Sequence, residues 1–325
     1  MNKISIAICT ALLLSSSQAN AQSGSRSYTP TPTPTRSSSI SRASQAQTAR
    51  LNAARLELAK QRAEKERMAR EARKQKNLAA AAAAKANAPV AQVHMLEQSI
   101  QSTTEFLNKD YLVFGFDQSS ASSQRLPLVI YLHGSGGRGD DVQKVKGQAE
   151  TIVRGIKNSS AGPCLVVAPQ CSKGTESKHG IWTTNDLDKF LSHLKQTLPI
   201  DESRIYLTGN SMGGYGTWLW ASHHPQDFAA VAPVVGGLGS GGPKDISPDV
   251  KTWAKNLASV PVWAFAGEKD TVVPADRATR MVQAIQSSGG QNAKATVVPN
   301  EGHGAGRLVY DSKEFYDWMF SQKRG

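Results

Sequence analysis

The chain has 325 residues, 39% of them hydrophobic, and a net charge of +12 from 38 Lys/Arg and 26 Asp/Glu. That length accommodates a full-sized core, and three cysteines are too few for a disulfide framework. The basic balance would suit a nucleic-acid partner only if the charge lay on a fold with groove-reading or aromatic-stacking residues, and no such pattern is present.

Met1 to Ala21 reads as a secretory signal. Lys3 supplies the positive start, Ile4 to Leu14 the apolar run, and Ala19-Asn20-Ala21 the small-x-small cleavage site. The run is shorter than the roughly 20 residues a membrane span needs. A secreted or periplasmic chain starting near Gln22 is expected, with no transmembrane segment. Residues 22–44 are rich in Ser, Thr and Pro, centred on Thr29-Pro30-Thr31-Pro32-Thr33-Pro34, and predict an extended linker. Residues 45–90 are rich in Ala, Arg, Lys, Glu and Gln, which are strong helix formers. Leu51, Leu58 and Met68 make only a thin apolar stripe, so a solvated arm, disordered or partly helical, is expected rather than a coiled coil. Residues 22–90 hold 14 Lys/Arg against 4 Glu, which leaves residues 91–325 close to neutral. The basicity therefore belongs to the arm. It is either a contact for an anionic cell surface or polysaccharide, or a solubilising spacer.

From Ala91 onward one α/β domain is expected. Thr103 to Leu107 and Asp110 to Phe116 predict an antiparallel opening, followed by a serine-rich loop from Ser119 to Gln124. Continuous apolar runs follow at Pro127–Leu132, Leu165–Ala168, Ile205–Leu207, Ala229–Val235, Pro261–Ala266 and Ala295–Val298. Such runs predict strands covered on both faces, as in a parallel sheet. Helical patterns alternate with them at Asp140–Lys157, Leu187–Leu198, Met212–His223, Asp249–Ala258, Ala275–Ser288 and Lys313–Ser321. The alternation predicts a mostly parallel, doubly wound sheet whose ligands bind at the strands' carboxyl ends. Four loops rich in polar and glycine residues follow such ends: His133 to Asp140, the turn at Ser211, Gly267 to Asp270, and Glu301 to Gly304.

Gly209-Asn210-Ser211-Met212-Gly213 is a G-x-S-x-G turn between a strand and a helix, which exposes a serine hydroxyl at a helix N-terminus. A serine needs a base to take its proton, and the base needs a carboxylate to orient it. Ser211, Asp270 and His303 supply these groups in the order nucleophile, acid, histidine, each after a different strand. His223 and His224 lie about 18 Å down the helix that starts at Ser211 and read as surface or capping residues. His193 reads as a structural histidine, and His179 as a residue that could border the pocket. Glu268 and Asp276 are alternatives to Asp270. The oxyanion donors are expected at the backbone N–H of Met212 and of Ser135, with Gly136 second. The His133–Gly137 stretch lacks the Lys-Ser/Thr ending of a phosphate loop, and no cofactor or metal is expected. Cys164 and Cys171 flank one predicted strand, about 23 Å apart if extended, too far for a disulfide.

LPLVIYLHGSGGRGDD, VVAPQC, IDESRIYLTGNSMGGYGTW, PVWAFAGEKDTVVP, EGHG and FYDWMFSQKR resemble the predicted peptidase/esterase branch of the α/β-hydrolases, over roughly residues 100–323. That branch is similar to phospholipase/carboxylesterase and feruloyl-esterase-like proteins. The resemblance implies the same triad and oxyanion pair, an ester substrate that could be polymer-bound, and hydrolysis through an acyl-enzyme. Peptide hydrolysis on the same fold is the alternative, and a non-catalytic surface-binding protein a third. One departure stands out: members often carry an acidic and an aromatic residue shortly after the histidine, where this chain has Gly304-Ala305-Gly306.

Overall fold

The computed structural model describes residues 38–86, 93–116, 125–172, 182–240 and 242–325. The signal and the proline-rich centre expected before residue 38 lie outside the described residues, as do the Ser119–Gln124 loop and His179. The chain divides into two units, Met1–Ala88 and Pro89–Gly325.

In the first unit a single helix, α1, spans Ser38–Ala86. It begins within the Ser/Thr/Pro-rich stretch rather than at the composition change near Gln45. Its side chains are exposed throughout 44–76, including Leu51, Leu56, Leu58 and Met68. With no buried face, its support is local: alanine-rich propensity and i,i+3 pairs such as Arg67–Glu64 at 2.7 Å.

The second unit is built on an eight-stranded sheet. The strands are β1 (Val93–Ser99), β2 (Leu107–Phe116), β3 (Leu126–Leu132), β4 (Leu165–Cys171), β5 (Ile200–Asn210), β6 (Ala230–Val234), β7 (Val262–Gly267) and β8 (Ala293–Val298). Their order in the sheet is β1-β2-β4-β3-β5-β6-β7-β8. The β1–β2 and β2–β4 pairs are antiparallel and all later pairs are parallel. The helices are α2 (Gln143–Asn158), α3 (Thr184–Thr197), α4 (Met212–His223), α5 (Val250–Asn256), α6 (Asp276–Ser287), α7 (Gly306–Asp311) and α8 (Lys313–Ser321).

Each central strand feeds two cores, because successive side chains point to opposite faces. Leu128, Ile130 and Leu132 of β3 pack with Phe190, Leu194, Trp218 and Met281 of α3, α4 and α6. Val129 and Tyr131 pack with Ile152, Tyr310, Phe315 and Met319 of α2, α7 and α8. All seven residues of β3 and all seven of β4 are buried, which is why they are apolar at nearly every position. At about 1.5–3 kcal/mol per buried large apolar side chain, these two layers dominate the stability.

One sequence expectation is corrected. The strand that pairs with β2 is β1, not Thr103 to Leu107. The earlier segment is instead tied down by Asp186, fully buried on α3, which accepts from Glu105 N at 3.0 Å and Phe106 N at 2.8 Å. A short helix, α7, also follows directly on the His303–Ala305 turn.

The register levels the strand ends along one edge. Leu132 stands beside Gly209, Asn210 beside Val234, Val234 beside Phe265, and Gly267 beside Val298. The loops after β3, β5, β7 and β8 therefore leave the sheet side by side.

Candidate active site

Ser211 is the pivot between β5 and α4. Its φ is +57° and its ψ −114°, a strained geometry for a residue with a side chain. The turn can be this tight because its neighbours are glycines. A β-carbon on Gly213 would overlap the carbonyl oxygen of Leu132, and one on Gly209 would overlap Gly213. Ser211 N–H donates to Val234 O at 2.9 Å, which fixes the turn to the end of β6.

Ser211 Oγ lies 2.7 Å from His303 Nε2. His303 Nδ1 lies 2.8 Å from Asp270 Oδ2. The other Asp270 oxygen, Oδ1, accepts from the N–H groups of Val272 at 2.8 Å and Val273 at 2.9 Å. The carboxylate side chain is fully buried, while the imidazole beside it is 28% exposed. With Asp270 accepting at Nδ1, the proton sits there, and Nε2 is left with a lone pair toward the hydroxyl. The geometry is that of a hydroxyl, a base and an orienting acid in hydrogen-bond series.

The loop after β3 flanks the serine. Cα of Gly134 is so placed that an added β-carbon would lie 3.7 Å from Ser211 Cβ. Gly134 N–H is already committed to Gln148 Oε1 at 3.1 Å. Ser135 opens a 3-10 turn over Ser135–Gly137, and Met212 opens α4. These two amides are the sequence-predicted oxyanion donors.

Several residues that hold this loop were not legible as functional. His133 is fully buried. Its Nδ1–H donates to Gly134 O at 2.6 Å, and its Nε2 accepts from Cys171 N–H at 2.9 Å. Burial pushes its pKa down to about 4, so the ring is neutral near pH 7. Gln170 Nε2 donates to Gly137 O and Asp141 O, each at 2.8 Å. The ring of Trp182 packs 4.9 Å from that of His133. The loop thus hangs from the end of β4, whose flanking Cys164 and Cys171 carry buried thiols.

The remaining candidates sit elsewhere. Glu268 accepts from Asn300 N–H at 2.8 Å, and Asp276 pairs with Arg277 and Arg280 at the start of α6. His193 Nε2 meets the buried Tyr111 hydroxyl at 3.1 Å. His224 meets Asp188 at 3.0 Å, and His223 caps Leu219 O at 2.8 Å. Part of the departure after His303 has a steric cause: a β-carbon on Gly306 would overlap the Asn210 amide oxygen, whereas one on Gly304 would meet nothing within 4 Å. No group of three or more His, Cys, Asp or Glu among the described residues is arranged to hold a metal ion.

Residues 171–307 match the model of the Dienelactone hydrolase family, a span that runs from the end of β4 through Ser211, Asp270 and His303. A solved structure described as a thermostable esterase superposes with a TM-score of 0.58 at 26% identity, over 71% of this chain and 63% of that one. The second unit has the α/β-hydrolase fold. The "Putative carboxymethylenebutenolidase" of Salmonella typhimurium is 37% identical over 111 residues, covering 32% of this chain. The chain spans about 37% of the length of the curated relatives it matches first. The "Probable feruloyl esterase C" of Aspergillus terreus is 24% identical over 208 residues, covering 64% of this chain and 72% of that protein.

Proposed function

We propose that this α/β-hydrolase is a serine esterase that cleaves carboxylic esters through an acyl-enzyme on Ser211. The observation that carries the reading is the Ser211–His303–Asp270 series at 2.7 and 2.8 Å. His303 Nε2 takes the hydroxyl proton as Ser211 Oγ attacks the ester carbonyl. The oxyanion of the tetrahedral intermediate accepts from the N–H of Met212 and of Ser135. His303 then gives the proton to the leaving alkoxide, and the alcohol departs. Water, deprotonated by His303, attacks the acyl carbonyl in turn; the second tetrahedral intermediate collapses, His303 returns the proton to Ser211 Oγ, and the carboxylic acid is released. Asp270 orients the imidazole and stabilises it while it carries the extra proton.

The substrate reading is an ester accessible from an open rim, including acyl groups on polysaccharide. Among the described residues, the elements between α4 and β7 are β6, α5 and two 3-10 turns, Pro225–Asp227 and Leu257–Ser259, with no inserted lid. The likeness to a feruloyl esterase supports the same class. The amino-terminal pattern of residues 1–21 supports a secreted or periplasmic location. The basic α1, exposed throughout 44–76, supports a contact with an anionic cell surface or polysaccharide. No helix among the described residues is long and apolar enough to cross a membrane.

The test is hydrolysis of p-nitrophenyl acetate and butyrate, beside feruloyl esters and aminoacyl amides. Ser211→Ala is expected to lower kcat by at least about 10⁴-fold. A fully active Ser211→Ala protein would overturn the reading, and faster turnover of the amides than of every ester would move it to a peptidase.

A further inference from the structure

We propose that Glu268 is a positioning residue for His303: its carboxylate holds the turn that sets the imidazole at the height of Ser211. The inference rests on reading Ser211, His303 and Asp270 as the reacting set.

Asp270 and His303 sit on different loops, after β7 and after β8. Backbone bonds join the loops at two points, Glu268 N–H to Val298 O at 3.1 Å and Lys269 N–H to Glu301 O at 2.7 Å. Side chains join them at two more. One is the Asp270–His303 bond itself. The other is Glu268 Oε2, which accepts from Asn300 N–H at 2.8 Å. Asn300 has φ +61°, in the left-handed region, which asparagine tolerates better than most residues with a side chain. The turn's own backbone bond, Glu301 N–H to Val298 O, is long at 3.4 Å. The Glu268 side-chain oxygen that accepts the Asn300 N–H adds a second restraint, from the facing loop.

The restraint acts where tolerance is small. His303 follows Asn300 by three residues, on the turn His303–Ala305, and its Nε2 must stay at 2.7 Å from Ser211 Oγ. A displacement of about 1 Å at a reacting pair can cost roughly 100-fold in rate. Asp270 alone does not prevent it, because one hydrogen bond at Nδ1 still allows the ring to tilt about that bond. Glu268 fixes the backbone behind the ring. The two carboxylates thus act in concert, Asp270 orienting the imidazole and Glu268 its turn.

The experiment compares Glu268→Ala, Glu268→Gln and Glu268→Asp in the full chain. Glutamine keeps an acceptor at the same reach without the charge. Aspartate keeps the charge with a reach one methylene short. Alanine and aspartate are expected to lower kcat by about 5- to 20-fold with KM within twofold, and glutamine to retain at least half of kcat. The low-field proton resonance of His303 Nδ1–H is expected to broaden in alanine and aspartate and to stay sharp in glutamine. Wild-type kcat and a sharp resonance in Glu268→Ala would overturn the inference, even with a lower melting temperature. So would glutamine as impaired as alanine, since the charge rather than the bond would then be acting. If the wild-type protein shows no Ser211-dependent hydrolysis, the functional reading fails, and the resonance alone still decides whether Glu268 holds His303 against Asp270.

Discussion

The N–H of Cys171 donates to Nε2 of His133 over 2.9 Å, tying the last residue of β4 to the first residue after β3. The bond requires a lone pair at Nε2 and so a neutral ring. Burial holds the His133 pKa down to about 4; the Gly134 carbonyl opposes that shift and the Arg138 guanidinium adds to it. The unfolded chain, with an ordinary value near 6.5, binds the proton first as pH falls. The contribution of His133 is therefore complete above pH 6.5 and is lost as pH falls from 6.5 toward 4. A shift of that size corresponds to about 3 kcal/mol. His193 is lowered by burial as well and adds a slope of the same sign. Urea midpoints measured between pH 4 and 7 are expected to fall less steeply for His133→Asn than for the wild-type protein.

The same ring sets a steric limit on Gly137. A β-carbon there would lie 2.5 Å from Cγ and Nδ1 of His133, whereas one on Gly136 would meet nothing within 4 Å. Gly137→Ala must displace either the buried imidazole or the turn that begins at Ser135. It is expected to cost about 1–3 kcal/mol of stability and to lower kcat by about 100-fold or more. Gly136→Ala is expected to leave both near wild type. Thermal denaturation and p-nitrophenyl acetate turnover of the two variants check the contrast.

Much of this site could be read from residue order, and the reason is physical. Strands buried on both faces need apolar residues throughout, so Leu126–Leu132 and Leu165–Cys171 declare themselves. Ser211 and Asp270 follow such strands, β5 and β7, while His303 follows β8, which is apolar at Ala295, Val297 and Val298 although only Ala293 is buried. Strand β1 and the bonds between loops carry no such apolar run. In β1 the outward Leu96 is 54% exposed, and the strand's polar residues give no continuous run. The Cys171–His133 bond and the Glu268–Asn300 bond join positions 38 and 32 residues apart through a backbone N–H, which has no residue signature. The Gly304-Ala305-Gly306 departure, by contrast, is visible in the sequence, and the Asn210 side chain accounts for its last glycine.

Asp270 gives a sharper test of the acid. One oxygen accepts from two backbone N–H groups and the other from His303 Nδ1–H. In Asp270→Asn the amide NH₂ must face one of those donors, whichever way it is turned. Either the loop opens or the imidazole adopts the tautomer with its proton on Nε2, facing Ser211. The rate is expected to fall by about 10⁴-fold with little change in KM, as wrong-tautomer triads behave. Steady-state kinetics with the folded variant, verified by circular dichroism, is the measurement. A residual rate within tenfold of wild type would remove Asp270 from the reacting set.

Gly306 couples the histidine side of the site to the nucleophile turn. It opens α7 one turn after His303, and its Cα stands against the side chain of Asn210, the residue before Ser211. Gly306→Ala would drive a methyl into the Asn210 amide oxygen, with Val234 Cγ1 at 3.4 Å closing the other side. The strain must move α7, and His303 with it, or push Asn210 and so the Ser211 turn. Both routes lengthen the 2.7 Å Ser211–His303 bond, so kcat is expected to fall about tenfold or more while KM changes little. Gly304→Ala, with nothing within 4 Å of its added carbon, is the matched control and is expected to keep wild-type kcat. If the clash with Asn210 is the cause, the Asn210→Ala/Gly306→Ala pair is expected to regain most of the rate lost by Gly306→Ala alone. A double variant as slow as the product of its singles would place the effect of Gly306 in the start of α7 instead.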